Sequence, residues 1–261
     1  MLNQFFPESL ALAAAQVVLV ILLSVGVVLM ARRYAIHLGA EVAISLTRGL
    51  VQIVAVGSVL VLLLQGPDWT SVFVLVAMVF SAAAISAKRS QGLADAFRVS
   101  LWSIGFGAGV VILLMTWAGV IESSITSLVP IGSMIVANAM NSNALALDRF
   151  RAEVESHTGQ IEAGLALGAD PRKVVLPYAQ SAIRASLIPR IDALRSLGIV
   201  WIPGIMAGML LQGANPVYAA VYQFVVIAMI FSSSGLTTLA STLLIRRRVF
   251  SSAQQLILRS D

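Results

Sequence analysis

Five uncharged amides, Gln52, Asn138, Asn141, Asn143 and Gln223, interrupt otherwise apolar stretches of this chain. An amide in lipid is costly unless it faces protein or water, so each marks either a helix contact or a polar pathway. Met134, Asn138 and Asn141 are spaced i, i+4, i+7 and share one helix face below Pro130 and Gly132. Met140 and Met206 add thioethers, which are soft ligands, whereas amides are weak, hard ones. Neither set makes a strong site for a ferrous ion, and a methionine stripe serves packing more often than coordination. The two histidines, His37 and His157, fall outside the apolar runs, and there is no cysteine. With no nucleophile and base pair and no ligand cluster within the apolar runs, catalysis is disfavoured, and the amides either line a path or pack helices together.

The chain has no energy source of its own. A phosphate-binding loop needs G-x-x-x-x-G-K-[ST], and no Gly-Lys dipeptide occurs. Gly105, Gly107 and Gly109 stand inside an uncharged apolar run with no strand before them, which reads as close helix packing rather than dinucleotide binding. An ion-coupled carrier keeps ionisable relays within its spans, and these runs have none. Arg48 and Asp192 come nearest and read as anchors at span ends. No cofactor is expected on this chain.

The elements that must position these groups are membrane helices. Of 261 residues, 59% are hydrophobic and 11% charged, and the mean hydropathy is +0.93. Seven stretches lack Asp, Glu, Lys and Arg: 10–31, 49–64, 69–87, 99–121, 125–147, 196–211 and 217–245. Most approach the about 20 residues a helix needs to cross the hydrocarbon core. The second can gain length by starting near Val42 and burying the stem of Arg48, the sixth by starting near Ile191. Segments of a membrane β-barrel would alternate apolar and polar, and these do not. All 17 basic residues fall in alternate loops, which predicts seven crossings of the inner membrane, the amino terminus outside and the carboxy terminus cytoplasmic. The net charge of +5 follows from this topology and the anionic cytoplasmic leaflet, so no nucleic-acid partner is implied. The expected fold is an all-α polytopic membrane protein, a single permease domain over 1–261 surrounded by lipid bilayer.

The longest polar interval is a cytoplasmic loop over 148–195. Within it 161–167 reads as helix, Gly168 as its stop, and Asp170 followed by Pro171 as an N-cap and first helical residue. The second helix mixes Val174, Val175, Ala182, Ile183, Leu187 and Ile188 with Arg172, Lys173, Arg184 and Arg190, so it should lie on the membrane surface or against other helices. Pro177 should kink it. Tyr34 to Thr47 is a second interfacial candidate. Span six carries Pro203, Gly204, Met206, Gly208 and Met209, and two antiparallel spans interrupted by Pro and Gly are the pattern expected where broken helices line a path.

Glu162, Ala163 and then Gly168, Ala169, Asp170 and Pro171 resemble the opening of the E-A-A loop of ABC transporter permeases. Their Leu-Pro pair lies further downstream than Leu176 and Pro177 do here. A resemblance covering nearly the whole chain is to the FetB-type iron-export permeases and their plant relatives, the half-size permeases of aluminium tolerance. It rests on Arg48, Gly49, Gln52, Val56 and Gly57; on Pro130, Gly132, Met134, Asn138 and Met140; on Gly168, Ala169 and Pro189; on Gly198, Pro203, Gly204, Met206 and Gly208; and on Gly213, Pro216, Tyr222 and Gln223. The resemblance implies a permease, present as a homodimer, that exports cargo when a separate ABC ATP-binding subunit, carrying the ATP and Mg, closes on it. Glu162, Ala163, Gly168, Ala169, Asp170, Pro171 and Arg172 are then the expected contacts with that subunit. The pathway candidates are Gln52, Met134, Asn138, Met140, Asn141, Met206 and Gln223. Iron is the implied cargo; another cargo such as a nucleotide sugar, or an ion-coupled secondary carrier, is the alternative.

Overall fold

The computed structural model describes residues 10–37, 39–63, 66–90, 93, 95–251 and 255–258. Met1 to Ser9, on which the outside placement of the amino terminus was read, lie outside the described residues, as do Gln65 and Arg259. The described residues form ten helices and two isolated bridges, so the fold is all-α as expected. The chain divides into two compact units, 1–66 and 67–261.

The first unit is a helical hairpin. Helix α1 spans Leu10–Arg33 and α2 spans Gly39–Leu63. Ala35, at φ 58°, closes α1 with the Ala35 amide donating to Arg32 O and the Ile36 amide to Ala31 O. Helix α2 thus begins even earlier than the expected Val42 and absorbs most of the interfacial segment proposed for Tyr34 to Thr47. Its length comes from running Glu41 and Arg48 in the same helix as the apolar stretch.

The second unit holds eight helices: α3 Thr70–Arg89, α4 Ala96–Trp117, α5 Ile125–Ser156, α6 Thr158–Ala166, α7 Pro171–Val174, α8 Leu176–Ser196, α9 Gly204–Leu211 and α10 Pro216–Ile245. Two buried apolar clusters organise it. One joins α3, α4, α5 and α10 through residues such as Leu75, Ile104, Ile135 and Val226. The other gathers Phe150 and Val154 of α5, Ile161 of α6, Val175, Ala182 of α8 and Ile245 with the chain's last described residues, Leu256 and Leu258. Local chemistry sets the starts. Asn215 Oδ1 accepts from the Val217 amide at 2.9 Å, with Pro216 at the first helical position of α10. Asp68 Oδ1 accepts the free amide of Ile125 at the start of α5, at 3.2 Å.

Among the described residues, five helices are long and apolar enough to cross a membrane: α1, α2, α3, α4 and α10. Helix α5 has ample length, but its amides and serines dilute its hydropathy. The sixth apolar run departs from expectation. It is not one helix: α8 ends at Ser196, 197–203 is non-helical, and only Gly204–Leu211 is helical again. Gly198 sits at φ +75°, and Pro203 removes an amide donor while pushing Ile202 away from helical geometry. Eight residues rise only about 12 Å, against about 30 Å of hydrocarbon. Pro177 likewise does not kink a continuing helix; it occupies the first turn of α8, where no amide donor is needed, after a break at Val175.

Candidate functional site

Helix α8 leaves the coupling turn and packs against α5 and α10 through a small-residue stripe, Ala179, Ala182 and Ser186. This brings Arg190, nearly two turns from the end of its helix at Ser196, onto the predicted polar face of α5. The Arg190 guanidinium donates from Nη1 to Asn138 Oδ1 and from Nε to Ser142 Oγ at 3.3 Å. Asn138 in turn donates from Nδ2 to Met134 O at 2.7 Å. No carboxylate among the described residues pairs with Arg190. The sequence left this helix either on the membrane surface or against other helices, and the second is what is found. The signal for Arg190 was the small-residue stripe preceding it, which only a facing helix can use.

The remaining candidates separate into different roles. Met134 and Asn138 are half-buried and Asn141 is exposed, so the face read from i, i+4, i+7 spacing runs from the bundle outward. Met134 and Met140 pack against the apolar cluster. Gln223 is fully buried in α10, and its Oε1 accepts from the Met206 amide at 3.1 Å. That amide lies in the first turn of α9, where no intrahelical acceptor exists, so Gln223 caps α9 from a neighbouring helix. Gln52 belongs to the first unit, where it lies exposed on α2 beside Arg48 and Val51.

Asn143, one of the five amides, lies away from Arg190. It is completely buried and donates to Ser86 Oγ of α3 at 2.7 Å and Ser100 Oγ of α4 at 2.9 Å, tying three helices together. Asn143→Leu removes both bonds and should lower stability by about 1–2 kcal/mol, the range for interhelical hydrogen bonds in membranes. Thermal unfolding in detergent checks this; a melting temperature equal to wild type would show that the node does not hold the helices.

The turn from Gly168 to Pro171, the expected coupling contact, has the local geometry read from sequence. Gly168, at φ +83°, ends α6; the Gly168 and Ala169 amides donate back to Leu165 O and Gly164 O. Asp170 Oδ1 accepts from the Arg172 amide at 2.9 Å, with Pro171 at the first helical position. Ile161 and Val175 are wholly buried and fix the ends of the turn, while Glu162, Ala163 and Leu167 to Asp170 stand exposed and Pro171 is half-buried. Leu167 is 89% exposed. Among the described residues no group of three or more His, Cys, Asp or Glu could hold a metal ion.

A family model described as "Uncharacterised protein family (UPF0014)" matches residues 14–250. The "Probable iron export permease protein FetB" of Escherichia coli (strain K12) is 34% identical over 251 residues, covering 96% of this chain and 94% of that protein. The "UPF0014 membrane protein slr1647" of Synechocystis sp. is 32% identical over 221 residues, covering 80% and 83%. "Protein ALUMINUM SENSITIVE 3" of Arabidopsis thaliana is 27% identical over 253 residues, covering 96% and 91%. No solved structure gives a significant match.

Proposed function

The chain belongs to the UPF0014 family of membrane proteins, and from that premise we propose that it is the permease subunit of an ABC-type exporter of the bacterial inner membrane. In this reading two copies of the chain, each crossing the bilayer seven times with the sixth crossing made by the non-helical 197–203 and α9 together, pair with a separate ATP-binding subunit that holds ATP and Mg. The observation that carries it is the coupling turn. An exposed, sharply defined turn is anchored at both ends in a buried cluster, and it leads within a few residues into α8, whose Arg190 grips α5. A push on such a turn moves α8, and α8 moves the polar face of α5. Closure of the ATP-binding subunits would then bias a two-state permease toward outward access.

Iron is the first cargo to test, because a relative matching along nearly its whole length is named for iron export. The lining offers amides, thioethers and one arginine instead of carboxylates, which favours cargo other than a bare cation as the second reading, a nucleotide sugar for example. An ion-coupled carrier is the weaker rival, since the candidate path has no acid to act as relay.

The test is ATP turnover by the ATP-binding subunit reconstituted in liposomes with this chain, with and without ferrous iron. Gly168→Arg with Ala169→Glu should reduce permease-stimulated turnover at least about tenfold. A Cβ at Gly168 meets nothing within 4 Å, so the cost to folding is confined to the left-handed backbone, about 1–2 kcal/mol. The new side chains project into the docking surface. A chain that neither binds nor stimulates the subunit would end the ABC reading; stimulation indifferent to iron would reject the cargo alone.

A further inference from the structure

The chain's C-terminal segment returns to the coupling turn. After α10, Arg246 to Arg248 turn the chain, Phe250 bridges to Leu256, and the Ile257 amide donates to Val249 O at 2.8 Å. Val249, Leu256 and Leu258 are buried in the cluster that holds Ile161 and Val175. The segment is therefore built into the same body as the turn, and Arg248 Nη1 on Asp95 Oδ2 at 2.6 Å pins it to the start of α4.

Between the two lies a cavity of about 490 Å³, walled by Gly168 to Arg172 on one side and by Arg246, Arg247 and Phe250 on the other. Its charges do not balance. Among the described residues, Arg172, Arg246 and Arg247 line it with a single carboxylate, Asp170, which already accepts the Arg172 amide. Arg246 Nε is shut from solvent and has no hydrogen-bond acceptor. Nε is closed to an entering group as it is to water, so what the cavity offers is the surplus positive charge of Arg246 and Arg247, which a carboxylate would neutralise through charge-assisted hydrogen bonds. The exposed Leu167 adjoins the cavity, an apolar side chain at the tip of the same turn.

We propose that this pocket is the receptor for a carboxylate side chain of the ATP-binding subunit, so that the C-terminal segment, through Arg246 and Arg247, forms one docking surface with the coupling turn. The inference rests on the function proposed above and adds to it a second element and a definite chemistry. Depth favours a protein partner over a lipid phosphate. Both walls pack in the cluster of Phe150 and Val154, 25 and 29 residues from the start of α5 at Ile125. At 1.5 Å per residue that is about 38–44 Å along the helix, about 8–14 Å beyond a hydrocarbon core of about 30 Å and past most of the headgroup layer.

The test uses the full chain in lipid nanodiscs and the ATP-binding subunit of the reconstitution above. Arg246→Glu with Arg247→Glu should weaken binding of that subunit at least about tenfold, and Arg246→Lys with Arg247→Lys should restore most of it. Arg248 is left in place to keep its pair with Asp95. A second readout does not depend on losing a charge: the chain has no cysteine, so Arg247→Cys gives one thiol whose maleimide labelling the bound subunit should slow. Wild-type affinity in the double Glu variant, alongside loss of binding in the Gly168 and Ala169 variant, overturns the pocket and leaves the coupling reading standing. Unchanged labelling of Arg247→Cys in the bound complex overturns it as well. If the Glu variant instead loses only its affinity for phosphatidylglycerol vesicles, the pocket is a lipid site and the inference falls. Failure of the wild-type chain to bind any ATP-binding subunit overturns both readings together.

Discussion

Gly107→Val is expected to abolish the folded permease. A Cβ on Gly107 would lie 2.7 Å from the Thr237 amide nitrogen and 2.9 Å from Ser233 O, and would overlap Thr237 Oγ1. Two of these atoms are backbone of α10, so no rotamer change relieves the contact. Helices α4 and α10 must separate along a face where Ser233, Ser234, Thr237, Thr238, Ser241 and Thr242 are all wholly buried. Small side chains there let the backbones approach, and dispersion between close backbones is what holds membrane helices together when lipid removes the hydrophobic drive. Overpacking costs about 1–3 kcal/mol for inserted methylenes in a soluble core; three new carbons against main chain should exceed that range. Two neighbours calibrate the result. Gly109→Ala meets nothing within 4 Å and should be neutral, and Gly132→Ala meets only the flexible end of Leu75 and should be mild. The measurement is the yield of monodisperse protein in detergent with its melting temperature. A Gly107→Val protein that melts like wild type would show that α4 and α10 do not cross closely.

Arg190→Ala should uncouple the transporter while leaving it assembled. The guanidinium is the link from α8, and hence from the coupling turn, to Asn138 and Ser142 of α5. Hydrogen bonds to charged groups contribute about 1.5–3 kcal/mol, which corresponds to about ten- to 150-fold in a conformational equilibrium. Stimulated ATP turnover and cargo export should fall by that order, with affinity for the ATP-binding subunit unchanged because the docking surface is untouched. Arg190→Lys should be intermediate. Its ammonium keeps the charge but lacks the planar fork that reaches two acceptors at once. Wild-type turnover in Arg190→Ala would remove α8 from the coupling route. Reduced binding as well as turnover would make Arg190 a structural support of the docking surface instead.

The membrane class, the all-helical fold and the turn chemistry of Gly168 to Pro171 were legible in the chain, while of Gly105, Gly107 and Gly109, all read as close packing, only Gly107 meets a neighbouring backbone. Each rests on local physics. Absent charges over a stretch long enough to cross the core set a helix, a left-handed glycine and an Asp-Pro pair set a stop and a start, and a glycine amid apolar residues admits a close neighbour. Apolarity alone misled at 197–203, where every criterion for a span was met except helical backbone. Gly198 and Pro203 carry that information, yet both residue types are tolerated in membrane helices, so their effect there depends on what surrounds them.

What required the tertiary structure was the sorting of polar groups. Asn138 and Asn143 lie five residues apart on one helix, yet one meets Arg190 and the other two serines. Nothing in their own sequence distinguishes the amide that meets an arginine from the one that meets serines, because the difference lies in which helix covers each face. The meeting of Arg246 with Gly168 is of the same kind. Those positions are 78 residues apart by their numbers, and only the burial of the tail against Ile161 and Val175 puts them around one cavity. Sequence determined the elements because backbone satisfaction in lipid is decided within each segment; partners were decided by packing, which is a property of surfaces that no single segment contains.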